Sequence, residues 1–185
     1  MADILDKVTD KNPRGIPQAP FVSKVEDLIK VPTDFEPVMQ KFQERLQQYK
    51  FMEQSKQSAI ASYKAKIPDI EKSLSMVEYL REKQQESESI HTNYELNDTL
   101  YSQAIIEPTD KVCLWLGADV MMEYPLAEAI DLLSKKLKTV KENLNIAEED
   151  SMFLRENITT MEVNTARLYN WNVKQKKLLK DQAAK

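Results

Sequence analysis

Cys113 and His91 carry the most reactive side chains of this chain, and there is one of each type. A thiolate and an imidazole can make a nucleophile with its base, or two ligands of a zinc site. Nothing in their spacing brings this pair together, and a lone histidine does not complete a metal cluster. His91 therefore reads as a surface or packing residue. Glu148-Glu149-Asp150 is the kind of carboxylate run that could hold a hard cation. On a helix, however, three consecutive residues point in different directions, so the run reads as a solvated face. Only 2 glycines are present, which excludes Gly-rich phosphate loops, the Walker motif and the dinucleotide fingerprint alike. No catalytic residue, cofactor or metal is expected, and the chain reads as a non-enzyme. What remains is the chemistry of apolar contact. Phe35, Met39 and Phe42 lie early in the chain, and Leu168, Tyr169, Trp171, Leu178 and Leu179 lie late.

Two long apolar stripes position these residues. The first runs Phe35, Met39, Phe42, Leu46, Tyr49, Glu53, Lys56, Ile60, Tyr63, Ile67, Ile70, Leu74, Val77, Arg81, Gln84. The second runs Ile130, Leu133, Leu137, Val140, Leu144, Ala147, Ser151, Leu154, Ile158, Met161, Thr165, Leu168, Asn172, Gln175, Leu179. Alternating steps of three and four are the seam of a coiled coil. If the chain folds back about Glu107, Gln84 meets Ile130, Val77 meets Leu137, and Leu46 meets Leu168. The expected fold is mainly α, a long antiparallel two-helix coiled-coil hairpin. Each helix would have about 50 residues and span ~75 Å at ~1.5 Å per residue. Polar layers at Glu53, Lys56, Arg81 and Ser151 read as register-setting. At the open end the zipper worsens, with Phe42 facing Asn172 and Met39 facing Gln175, while Phe51, Trp171 and Val173 lie off the seam. The apolar residues there either staple the helix ends together or contact a client.

Residues 1–33 read as a flexible leader containing Pro13, Pro17, Pro20 and Gly15, either disordered or docked as an extended strand. Ser23-Lys24-Val25-Glu26 matches a capping box for one short helical turn, and Thr33-Asp34-Phe35-Glu36 matches a second. The first coiled-coil helix is expected over 34–90, with a bend at Pro68. Between 91 and 124 the texture changes. Tyr94-Glu95-Leu96, the turn Asn97-Asp98, and Thr99 to Ile106 read as one hairpin. Val112 to Leu116, the turn Gly117-Ala118-Asp119, and Val120 to Tyr124 read as a second. The second helix is expected over 125–181, opened by Pro125 at a favoured first-turn position, with a short tail at 182–185. Val112, Leu114, Trp115, Leu116, Val120 and Met122 need a surface to cover them, because a small isolated sheet is marginal in water. They either pack on the base of the helices or pair with strands of other subunits. The small area of two helix ends favours the second.

Charge and composition narrow the partners. A net charge of -4 argues against nonspecific attraction to nucleic acid or to an acidic membrane. Lys174, Lys176, Lys177 and Lys180 are a local exception, read as a solvated helix end favoured by the macrodipole. Charged residues at 30 % and a mean hydropathy of -0.55 suit a thin, wet hairpin. One cysteine suits a reducing compartment. With no signal-like apolar run at the N-terminus and no stretch long enough to span a membrane, a cytoplasmic protein is expected. The glycosylation patterns Asn97-Asp98-Thr99 and Asn157-Ile158-Thr159 read as chance matches.

The run Thr109-Asp110-Lys111-Val112-Cys113-Leu114-Trp115-Leu116-Gly117-Ala118 resembles the central hairpin motif of α-type subunits of the prefoldin family. Gly15-Ile16-Pro17 with Phe21-Val22, Tyr49-Lys50-Phe51-Met52-Glu53, and Ala166-Arg167-Leu168-Tyr169-Asn170-Trp171 are similar to the same family. Together they cover roughly residues 15 to 175. The resemblance implies a heterohexamer of two α-type and four β-type prefoldin subunits, whose central hairpins join an oligomeric double β-barrel with six coiled coils hanging from it. It also implies an ATP-independent chaperone that captures unfolded actin and tubulin and delivers them to the cytosolic chaperonin. A structural coiled-coil adaptor or tether is the alternative. A tether needs only a turn between its helices, whereas a barrel subunit needs the four strands.

Overall fold

The computed structural model describes residues 11–29 and 35–183. Two long helices bracket two small β-hairpins, the mainly α arrangement expected. Helix α1 is Phe35–Glu86, strands β1 to β4 are Ile90–Asn97, Leu100–Ile106, Lys111–Gly117 and Val120–Pro125, and helix α2 is Leu126–Ala183. A single 3-10 turn, Val25–Asp27, lies within the leader. Glutamate and lysine are frequent in both helices, glutamine in α1 and leucine in α2, and neither helix contains a glycine. Helix α1 continues through Pro68, which sits on its exposed side.

The chain divides into two compact units, Ala61–Asn145 and the remainder, which joins Met1–Ile60 to Ile146–Lys185. In the Ala61–Asn145 unit, Ile70, Val77, Leu126, Ala129 and Leu133 form a buried cluster. Leu74, Leu80, Leu137 and Val140 pack against it, as do Val112, Leu114 and Tyr124 from the second hairpin. Glu71 and Lys141 make an ion pair at 2.7 Å across the helices. The seam departs from expectation near the strands. Arg81 and Gln84 are exposed, and Leu80 is drawn inward instead. A guanidinium keeps its hydration while a neighbouring leucine gains by leaving water.

Helix α1 ends in a Schellman motif. The Glu88 N–H donates to the Lys83 carbonyl and the Ser87 N–H to the Gln84 carbonyl. Ser87 takes the left-handed conformation this requires, at φ 54, where glycine would carry no penalty. Ser87→Gly is therefore expected to stabilise the chain by about 0.5–1 kcal/mol. Chemical denaturation would show it as a higher midpoint, and an unchanged or lower midpoint would contradict the strain.

Both hairpins pair antiparallel. In the first, Ile90 faces Ile106 and Glu95 faces Tyr101, with a register shift before Asn97 meets Leu100. The turn therefore falls at Asp98-Thr99, one residue beyond the expected Asn97-Asp98. In the second, Val112 faces Tyr124 and Trp115 faces Met121, with a shift before Gly117 meets Val120. Gly117, Ala118 and Asp119 all have positive φ, so Gly117 closes β3 at a bulge and Ala118-Asp119 make the turn. Pro125 ends β4 instead of opening α2, and the Leu126 N–H is satisfied by the Asp110 carbonyl at 3.0 Å.

In the other unit, Phe42 and Tyr49 of α1 and Leu154, Met161 and Leu168 of α2 share one buried cluster with Ala19, Val22, Val25 and Ile29 of the leader. Of the two alternatives open for the leader, residues 11–29 take the docked one. The turn at Val25–Asp27 has Lys24 as its N-cap and no side-chain capping bond, so the expected box at Ser23 does not form. Thr33 and Asp34, the start of the second expected box, lie outside the described residues.

Candidate functional surfaces

Asp150, Asn157, Asn164 and Trp171 recur at heptad spacing beside the α2 seam. The three polar members are buried, and each holds part of the leader. Asn157 Oδ1 accepts the Ala19 N–H. Asn164 Oδ1 accepts the Val22 N–H at 2.9 Å, and its Nδ2 donates to the Pro20 carbonyl at 2.7 Å. Arg167 donates to the Val22 carbonyl at 2.8 Å and lies 4.7 Å from the centroid of the Phe21 ring. The Tyr49 hydroxyl donates to the Pro17 carbonyl at 2.9 Å. Its burial pushes the phenol pKa up.

Asp150 corrects the sequence reading. Far from a solvated face, its carboxylate is 0 % exposed. Arg14 Nε lies 2.5 Å from Oδ1, Lys56 Nζ 2.9 Å from Oδ2, and Asn12 Nδ2 donates to Oδ1 at 2.8 Å. Burial pushes this carboxyl up. The hydrogen bonds from Lys56 and Arg14 and their charges outweigh it and hold it below its ordinary value. The neighbouring Glu149 reaches Arg14 at 3.1 Å from the surface. Of the four residues read as register-setting, three are paired across the helices, Glu53 with Arg155 at 3.2 Å, Lys56 with Asp150, and Ser151 with Gln57 at 3.0 Å, whereas Arg81 is exposed.

Among the residues expected at the client-binding tips, Phe42 and Leu168 are buried in the cluster. Phe35, Met39 and Trp171 are partly buried against it. Tyr169, Leu178 and Leu179 are exposed, each by more than half. The leader supplies apolar partners near the weak end of the zipper, where Val22, Val25 and Ile29 share the buried cluster with Phe42 and Leu168. Sequence reasoning missed this. The available signal was the heptad of Asp150, Asn157 and Asn164 running next to the seam, since polar side chains that repeat with the core are placed to meet something.

The hairpins divide their apolar residues. Val112 and Leu114 turn toward the chain's own helices. Trp115, Leu116, Val120, Met121 and Met122 are exposed, Trp115 by 66 % and its cross-strand neighbour Met121 by 65 %. The first hairpin also exposes Tyr94, Leu96, Leu100, Tyr101 and Ile105. Lys111 and Glu123 pair at 3.0 Å on the second hairpin, and Cys113 is exposed and free. Monomeric proteins rarely expose so much contiguous apolar surface, and in the lone chain these side chains are left without a covering partner. Among the described residues, no helix is long and apolar enough to cross a membrane.

Two long helices joined by two hairpins, with apolar strand faces left open, define a helical-hairpin class of chain with a β middle. The Prefoldin subunit family model matches residues 49–171, and the chain belongs to the prefoldin family. It is similar to prefoldin subunit 3 of Saccharomyces cerevisiae, at 53 % identity over 96 % of this chain and 94 % of that one. It is also similar to prefoldin subunit 3 of Homo sapiens, at 45 % identity over 88 % of this chain and 83 % of that one. A chain in the cryo-EM structure of filamentous PFD from Methanocaldococcus jannaschii shares the fold. Its TM-score is 0.52 at 17 % identity, covering 66 % of this chain and 98 % of that one.

Proposed function

We propose that the chain is one subunit of a heterohexamer of two α-type and four β-type prefoldin subunits, acting in the cytoplasm as an ATP-independent holdase. Its hairpin strands join a shared β-barrel. Its helix tips take hold of unfolded actin and tubulin, and the complex hands them to the cytosolic chaperonin. One observation carries this reading: two adjacent hairpins with exposed apolar faces, on a chain whose relatives are prefoldin subunits. A solitary tether gains nothing from such strands.

Client contact is sought first at Tyr169, Leu178 and Leu179, the tip residues already in water. An unfolded chain exposes apolar surface, and burying it against these side chains is the available driving force. A few side chains bind weakly, and several tips sharing one client gain by effective concentration. A complex carrying Tyr169→Ser, Leu178→Ser and Leu179→Ser is expected to assemble normally. It is expected to suppress aggregation of a denatured client less well than wild type, without losing suppression, since the other subunits keep their tips. Light scattering at matched concentrations measures this. Unchanged protection across several clients would mean that these residues only close the helix ends, the adaptor reading.

A further inference from the structure

The middle of the leader, from Pro17 to Val22, is held in a way that almost any extended polypeptide could be held. Asn157 accepts a main-chain N–H, Asn164 spans a main-chain N–H and a carbonyl, and Tyr49 and Arg167 donate to main-chain carbonyls. Every polypeptide carries these groups. The leader side chains that the cluster buries are Ala19, Val22, Val25 and Ile29, small or branched and wholly apolar. Side-chain identity enters mainly at one end, where Asn12 and Arg14 reach Asp150, and at Phe21 beside Arg167.

We propose that the floor beneath the leader is a polypeptide-binding groove. It is formed by Tyr49, Leu154, Met161 and Leu168 with the Asn157 and Asn164 amides. The chain's own leader fills it at rest, and an extended apolar segment of an unfolded client fills it when the leader is displaced. Such a groove presupposes the chaperone reading above and locates one client seat within it. The seated leader is itself the argument for the occupant: between Pro17 and Lys24 it is non-helical, read through its backbone, with Ala19 and Val22 facing inward, and the turn at Val25–Asp27 then brings Val25 and Ile29 onto the same cluster. Pro13, Pro17 and Pro20 limit the entropy the leader loses on docking and remove donors that would need partners. The contacts of Asn12 and Arg14 with Asp150 act as a latch at one end, away from the Asn157 and Asn164 amides. A tethered competitor lowers the apparent client affinity by the fraction of time the groove stands open. Weakening the latch therefore strengthens capture.

Hydrogen exchange at the Ala19 and Val22 amides of the assembled complex reads the leader's occupancy. Guanidine-unfolded actin, with capture followed by light scattering in the same sample, is expected to raise exchange at both amides at least tenfold. Arg14→Ala is expected to raise exchange without client and to tighten capture several-fold. A complex lacking residues 1–29 is expected to bind two labelled peptides, one of leader sequence 11–29 and one of unrelated extended apolar sequence. Capture of actin with both amides still protected would overturn the groove and leave the holdase reading intact. If the wild-type complex captures no actin, the holdase reading fails and the peptides decide. Binding of both keeps the groove, whereas binding of neither, or of the leader peptide alone, overturns it.

Discussion

A chain carrying Leu116→Asp is expected to stay out of the assembled complex while keeping its helices. In the lone chain Leu116 is exposed, so a carboxylate there costs little until another subunit covers it. Burying that charge without a partner then costs several kcal/mol or more, enough to abolish a non-covalent assembly. Val120→Asp is expected to behave alike. Leu114→Asp makes the instructive contrast. Leu114 packs on the cluster of Val77, Leu126 and Leu133, so its replacement would weaken the chain's own hairpin before any partner arrives. Native mass spectrometry of co-expressed subunits measures incorporation, and far-UV circular dichroism measures helicity. An intact complex containing Leu116→Asp would refute assembly through the hairpins.

Loss of Asp150 is the second large effect expected. Asp150→Ala removes the buried carboxylate that Asn12, Arg14 and Lys56 share, leaving Arg14 only its surface pair with Glu149. Hydrogen bonds to a charged group contribute about 1.5–3 kcal/mol, and the cost here falls toward the lower end because both cations left behind also reach water. Residues 11–29 should then detach, with faster limited proteolysis in the leader. The same carboxylate sets a pH dependence. Its folded pKa is held below the unfolded value of ~3.9. The unfolded chain therefore takes up the proton first as pH falls. The stabilisation is fully present above that unfolded value and is lost as pH drops through the folded one. Wild type should lose melting temperature on acidification below about pH 4 more steeply than Asp150→Asn. Parallel curves for the two proteins would show that Asp150 adds no stability of this kind.

Much of the architecture was legible in the residues. The three-four stripes demand two helices, because only that spacing keeps Phe42 and Tyr49 on one side of the first helix and Leu154 and Met161 on one side of the second. The short apolar runs on either side of Gly117, with Val112, Trp115, Val120 and Tyr124, suit two strands joined at a glycine turn. Local errors came from competition between neighbours that only packing resolves, as where Leu80 displaces Arg81 from the seam.

The sequence by itself determined the two helices, the two hairpins and the family motifs, because those follow from periodicity and turn chemistry within short windows. Only the tertiary structure decided what Asp150, Asn157 and Asn164 are for, and which tip residues stay in water. A polar residue beside a seam looks solvated until a segment more than a hundred residues away in sequence lies down on it. Long-range pairing of that kind leaves no periodic trace in the leader itself, whose prolines and scattered apolar residues suit a free chain as well as a docked one.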